Sequence, residues 1–329
     1  PIIGYSFGEY ASPREVPIAV NFAYFAGGYT PSNNLSIVER LDYSNDTASL
    51  SRRGNLNHRA RYCRGFSSEE YGYIVGGTSS PTPFTSSTGY FDHGSQVQRV
   101  EYANDTARGL LRGFLGASTN GYQSGAATCT TSYGYYVNGN GYSMIYRLDF
   151  SSDTTTGTTI ANGASNRHMI NGVGNQDYGW SGGGGPSAAS TVERHDYSSD
   201  TTTSVAKGPL AHSHKRPGAV GNKDYGYFGG GEGPGMSLVS RIDYSNDTAT
   251  ATPKGPLSSN RYSPTGSTGN LYYGYFAGGG IDGGSNAKGS RVDRIDFSND
   301  TATASVRSSL MHETYQVGAF SATQDALPQ

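Results

Sequence analysis

Methionine, tryptophan and cysteine are scarce in this chain: its 329 residues hold four Met, one Trp and two Cys. Two cysteines cannot build a disulfide framework, so Cys63 and Cys129 are expected as free thiols. Charge is also sparse, at 15% of residues with a formal net charge of −2, which gives no electrostatic case for a nucleic-acid partner. No apolar run approaches the roughly 20 residues that span a bilayer, so membrane insertion is not expected. Sustained helical periodicity is missing from every window. What the chain has instead is glycine and tyrosine, 48 and 26 residues, a composition suited to tight turns and aromatic strand pairs.

It also has repetition. The pattern Arg, any residue, Asp or Glu, aromatic, two small residues, Asp, Thr begins at Arg40, Arg99, Arg147, Arg194, Arg241 and Arg294, at spacings of 59, 48, 47, 47 and 53 residues. An aromatic run ending in Gly-Gly or a near relative precedes each copy, as in "YGYIVGG" and "YGYFAGG". A third element, in "NHRARYCRG", "SNRHMINGVG", "SHKRPGAVG" and "SNRYSPTGS", places an Arg about seventeen residues before the glycine pair. Repeats of this length mark one supersecondary unit stacked several times, because a single unit cannot bury its own apolar face. Short apolar runs separated by Gly, Ser, Asn and Asp clusters read as strands. Strand A is expected to start near the Arg of "SNRYSPTG". Strand B is then the aromatic run, strand C is "RIDYS", and strand D is the Thr and Ala stretch after "NDT".

Glycines closing strand B, an Asp and aromatic strand C, and an Arg opening the next strand A are together similar to the kelch-type β-propeller repeat, over roughly residues 14–322. Kelch units usually carry a Trp after strand C, and the "TATA" stretch here has none. The resemblance implies an all-β propeller of four antiparallel strands per blade. Six complete sets predict six blades. Dividing 329 by 47 would suggest seven, but a seventh motif is missing. Residues 1–13 are then an N-terminal arm and 323–329 a C-terminal tail. Both "REVPIAVNF" and "ETYQVGAFSA" align with strand A, so one of them is expected to close blade 1. The wording "DYSNDTATATPKGPLSSNRYSPTGSTGN" further resembles repeat arrays of virion and fibre-associated proteins of marine phages, notably those of cyanobacteria. That resemblance implies a virion or extracellular location.

In strand C a period of two puts Arg and Asp on one face. The pairs Arg40 and Asp42, Arg99 and Glu101, Arg147 and Asp149, Arg194 and Asp196, Arg241 and Asp243, and Arg294 and Asp296 are expected to form charge ladders between blades. A catalytic group is needed once and these recur six times. The "SNDT" segments match glycosylation acceptors, but they fall where strand C must reverse, and their side chains suit that turn.

Function is expected in what does not repeat, the loops of the face that carries the B-to-C and D-to-A connections. The insertion at residues 78–95 presents Phe84, Tyr90, Phe91, Asp92 and His93, aromatics able to stack on sugar rings or anchor an interface. "AHSHKRPG" sets His212 and His214 beside Arg216. Two His two apart can share a metal, yet Lys215 and Arg216 would repel a cation and a third ligand is lacking, so neither metal nor cofactor is expected. These residues point to a non-enzymatic structural or adhesion protein. Its expected partners are copies of itself, other virion or fibre proteins, or cell-surface glycan. The alternatives are a glycan-active enzyme pairing Asp92 with Glu232 or Asp282, and a soluble kelch-like interaction module.

Overall fold

Successive side chains of a strand point to opposite faces. In Tyr225–Gly229 this sends Tyr227 into the core shared with one neighbouring unit and Phe228 into the core shared with the other. Both rings are fully buried. A unit with two apolar faces needs a neighbour on each side, and the arrangement that supplies one to every unit is a ring. The computed structural model describes residues 18–77, 94–116, 124–139, 142–281 and 288–326, and it shows six four-stranded antiparallel sheets, a six-bladed β-propeller.

Blade 5 gives the pattern, with strand A at Gly218–Gly221, B at Tyr225–Gly229, C at Val239–Asp243 and D at Thr252–Lys254. The A-to-B turn is held by Asn222, whose side-chain oxygen accepts from the backbone N–H of Asp224 and of Tyr225, each at 2.9 Å. Asn175 and Asn270 do the same in blades 4 and 6. Glycine follows the first strand-B tyrosine because the next ring lies there: a Cβ on Gly226 would come within 2.8 Å of the Tyr244 hydroxyl.

Strands A form the inner wall, at Arg64–Ser67, Ala126–Cys129, Ile170–Gly174, Gly218–Gly221, Gly266–Gly269 and Gly318–Phe320. The last of these settles the closure. Gly318–Phe320 pairs antiparallel with Phe22–Ala26, with Tyr24 opposite Phe320, so the C-terminal segment is strand A of blade 1. In the competing N-terminal segment, Ile18–Asn21 is a 3-10 turn, and residues 1–17 lie outside the described residues. Strand A also starts later than the Arg of "SNRYSPTG". Arg261–Tyr262 pairs separately with Gly280–Ile281, and Ser263, at φ 56°, breaks the run before Gly266. The tail expected from residue 323 is partly built in. Gln324–Ala326 caps the inner wall at the turn face, with the Asp325 carboxylate accepting from the Cys129 N–H at 2.9 Å. The channel keeps about 30 Å³ of free space, room for a water or two.

The strand-C arginines reach the next blade, but their partner is not the strand-C carboxylate. Asp42, Asp149, Asp196, Asp243 and Asp296 fold back and accept from the backbone N–H two residues on, capping a 3-10 turn in four blades and an irregular turn after Asp196. A short carboxylate side chain finds its own backbone before it reaches a neighbour. Glu101 is one methylene longer, makes no such cap, and pairs with Arg99 at 2.8 Å.

The arginines meet instead the aspartate of the "NDT" turn in the next blade. Asp300 accepts from Tyr227 Oη at 2.9 Å and pairs with Arg241 at 2.8 Å and Lys254 at 3.0 Å, one group from each of strands B, C and D of blade 5. The same three-sided clamp holds Asp46, Asp105, Asp153 and Asp247, with Trp180 Nε1 replacing a tyrosine hydroxyl at Asp247. Burial opposes ionisation of Asp300, but the bonds from Lys254 and Tyr227 and the charge of Arg241 outweigh it and hold the carboxyl below its ordinary value. Asp200 differs. It has Tyr135 at 3.4 Å and Arg147, and the strand-D position that carries Lys or Arg elsewhere is Ile160. Each clamp is roofed by rings, as where Trp180 stacks on Tyr244 at 4.0 Å and Tyr227 on Phe297 at 5.0 Å.

Candidate functional site

At the loop face, the chain enters each strand A through one residue in the left-handed region: Tyr62, Ser124, Met169, Arg216, Ser263 and Gln316, at φ between 56° and 62°. None is glycine. Such a backbone costs a side-chain-bearing residue roughly 1–3 kcal/mol and persists where its surroundings fix it. Here neighbours fix it by main-chain bonds, the Ser124 N–H donating to the Tyr62 carbonyl at 3.0 Å and the Arg216 N–H to the Met169 carbonyl at 2.7 Å. Together the six residues rim the channel mouth. The backbone repeats and the side chains do not, which is the pattern of a scaffold presenting variable groups.

Two of them, Tyr62 and Arg216, belong to a layer of tyrosines and cations contributed by neighbouring residues. Tyr29 meets Tyr315 edge-on at 5.5 Å, and Tyr262 meets Tyr315 at 6.4 Å. The Arg61 guanidinium lies 4.8 Å from the Tyr29 ring centre and 5.3 Å from that of Tyr62. Blades 2 and 5 lie opposite one another, yet the Arg216 guanidinium comes within 5.6 Å of the Tyr62 ring centre and closes over the mouth. Lys288 sits 5.0 Å from Tyr29 and 5.3 Å from Tyr315. The tyrosines are part-buried and keep some contact with solvent.

Beneath this layer, Arg64 lines the channel and is 2% exposed. It donates to the carbonyls of Cys63 and Ile170, and its Nε has no partner. Burial, with the charge of Arg216 adding to it, pulls its pKa down to about 10. The other fully buried arginines, Arg167 and Arg261, have Glu193 and Asp293. Arg64 and Lys288 have no carboxylate partner among the described residues. Glu232 is bonded to Lys215 and Arg216.

The sequence-predicted residues divide. Phe84, Tyr90, Phe91, Asp92 and His93 lie outside the described residues, as does Asp282. Arg216 lies at the mouth. His214 is buried, with Nδ1 2.7 Å from the Gly230 carbonyl, and burial brings its pKa down to about 4, so it is neutral at physiological pH. It occupies the place of Arg167 and Arg261, which donate to the carbonyls of Gly183 and Gly278 at the ends of their strands B. In blades 4 and 6 the Arg before the glycine pair is thus a clasp on that carbonyl, a place filled in blade 5 by His214 and not by Arg216, and in blade 2 by Ala60. His212 packs edge-on against His214 at 6.3 Å. Among the described residues no three metal-ligating side chains converge.

Sequence reasoning missed Tyr29, Arg61, Tyr62, Arg64, Tyr262, Lys288 and Tyr315. The available signal was the variability of the dipeptide before each strand A, "RY", "HM", "KR", "YS" and "YQ", against a constant frame. A groove of about 630 Å³ at the edge of blades 1 and 2 is also basic, lined by Arg52, Arg53, Arg59 and Arg108, but no tyrosine lines it. Compared with protein-family models and with curated proteins, the sequence matches none.

Proposed function

We propose that the protein is a non-enzymatic interaction module, a propeller displayed on a virion or extracellular fibre, whose loop face contacts neighbouring subunits or host-surface glycan. The observation that carries this reading is the mouth itself. Six repeats agree in the strand-C arginine that joins each blade to the next, and differ in the side chains of the six left-handed residues at the channel mouth. The display part rests on the wording of the repeats, which resembles virion and fibre arrays. Against a carboxylate-pair enzyme stands Glu232, whose oxygens are bonded to Lys215 and Arg216. A channel with room for a water or two leaves binding at the mouth, not within the ring. Weak contacts of this kind gain strength when many copies are displayed together.

Cryo-electron microscopy of the native source material tests the reading. An ordered assembly with the loop face at a subunit or cell-surface contact is the expected result. Isolated monomers that turn over a glycan would refute it.

A further inference from the structure

Resting on that interaction-module reading, we infer that the channel mouth binds an acidic sugar, a glycan residue bearing a carboxylate or sulfate, held between tyrosine faces and the guanidinium groups of Arg61 and Arg216. Three observations converge. The part-buried rings of Tyr29, Tyr62 and Tyr315 gather at the mouth among these cations, and aromatic rings of this kind take the C–H side of a pyranose. Arg61 and Arg216 stand over those rings, Arg216 held there by Glu232, and the remaining N–H groups of a planar guanidinium match carboxylate and sulfate groups. Arg64, buried below them with no carboxylate partner among the described residues, leaves positive charge in a place of low dielectric that an incoming anion relieves.

The layer favours a sugar over a peptide, because among its described side chains only Met169 is a purely apolar one and so a deep apolar anchor is missing. It favours a sugar over nucleic acid, because the chain is net negative and the cations gather at one small mouth instead of along a track.

The test measures affinity of the full chain, by calorimetry at low and moderate salt, for trigalacturonate, its neutral methyl ester, a sulfated carrageenan tetrasaccharide, inorganic sulfate and a hexathymidine strand. Binding of either acidic oligosaccharide is expected, with the carboxylate and sulfate arms telling which anion is preferred. The ester should bind at least tenfold more weakly than trigalacturonate. Arg61→Gln, Arg216→Gln and Tyr29→Leu should each weaken the acidic sugar about tenfold or more, while Lys223→Gln on the turn face changes nothing. Arg216→Gln strips one partner from Glu232, so a melting curve accompanies each variant, and Arg61→Gln carries the test if Arg216→Gln unfolds.

Equal affinity for acid and ester, indifference to Arg61→Gln, sulfate alone binding as tightly as the oligosaccharides, or tighter binding of hexathymidine would each overturn the inference. So would no binding at all. That last outcome leaves the interaction-module reading standing, since an ordered native assembly contacting through the loop face decides it separately.

Discussion

Replacing Asp300 by Asn keeps the shape of the clamp and removes its charge, leaving Arg241 and Lys254 facing one another across a neutral amide. Asp300 is 8% exposed and its two cations 22% and 11%, so the pair lies near the buried limit without reaching it. Breaking one partner of a fully buried pair costs about 3–5 kcal/mol, and the lower end, about 3 kcal/mol, is expected here. Asp200→Asn is the internal comparison. That carboxylate is 12% exposed, its Arg147 is 32% exposed, and no strand-D cation reaches it. Its loss should cost about 1–2 kcal/mol, a charged bond without the third partner. The converse change is Ile160→Arg, which supplies the missing cation on a stem that still covers apolar surface, and a gain of about 1 kcal/mol is expected. Urea denaturation followed by circular dichroism reads all three. Trp180, the single tryptophan, adds a local signal from the joint between blades 4 and 5. Equal costs for Asp300→Asn and Asp200→Asn, together with no gain from Ile160→Arg, would refute the claim that the third cation contributes.

Three further outcomes follow from the geometry. Asp325 is buried and its pKa is pushed up to about 7, above the ordinary 3.8, so the folded form retains a proton that the unfolded chain releases, and stability falls as pH rises between these values. Asp325→Asn should therefore gain on the order of 3 kcal/mol relative to the parent between pH 5 and pH 8, read from urea midpoints at each pH. His214→Arg alone buries a charge with no acid beside it and should cost about 3 kcal/mol, while adding Ser240→Asp, which copies Arg261 with Asp293, should recover most of that in a double-mutant cycle. Truncation after Val317 removes strand A of blade 1, and dynamic light scattering should then show an expanded or self-associated product.

Blade number was legible because the Arg, Asp and aromatic pattern recurs with its spacing and each copy marks one strand C. Strand A was not, since "GSTG", "GAVG" and "AATC" carry no apolar alternation, and Arg261 drew the start in blade 6 five residues too early. The clamps were half legible. A period of two correctly aims Arg241 out of its own strand, but it says nothing of which turn meets it, and that carboxylate is 59 residues away in sequence. The mouth was invisible for another reason. A left-handed backbone at Tyr62 or Arg216 leaves no trace in composition when the residue is not glycine, because main-chain bonds from the neighbouring blades impose it. Such a site is found by superposing the blades and asking where they disagree.

The seam in blade 1 joins partners far apart in the chain, with the Ser321 hydroxyl donating to the Phe22 carbonyl 299 residues earlier. During synthesis, five blades can complete themselves as they leave the ribosome, while the first waits with the inner edge of Phe22–Ala26 open. That edge accepts any Gly-Ala-Phe strand presented in register, including one from a second nascent chain nearby.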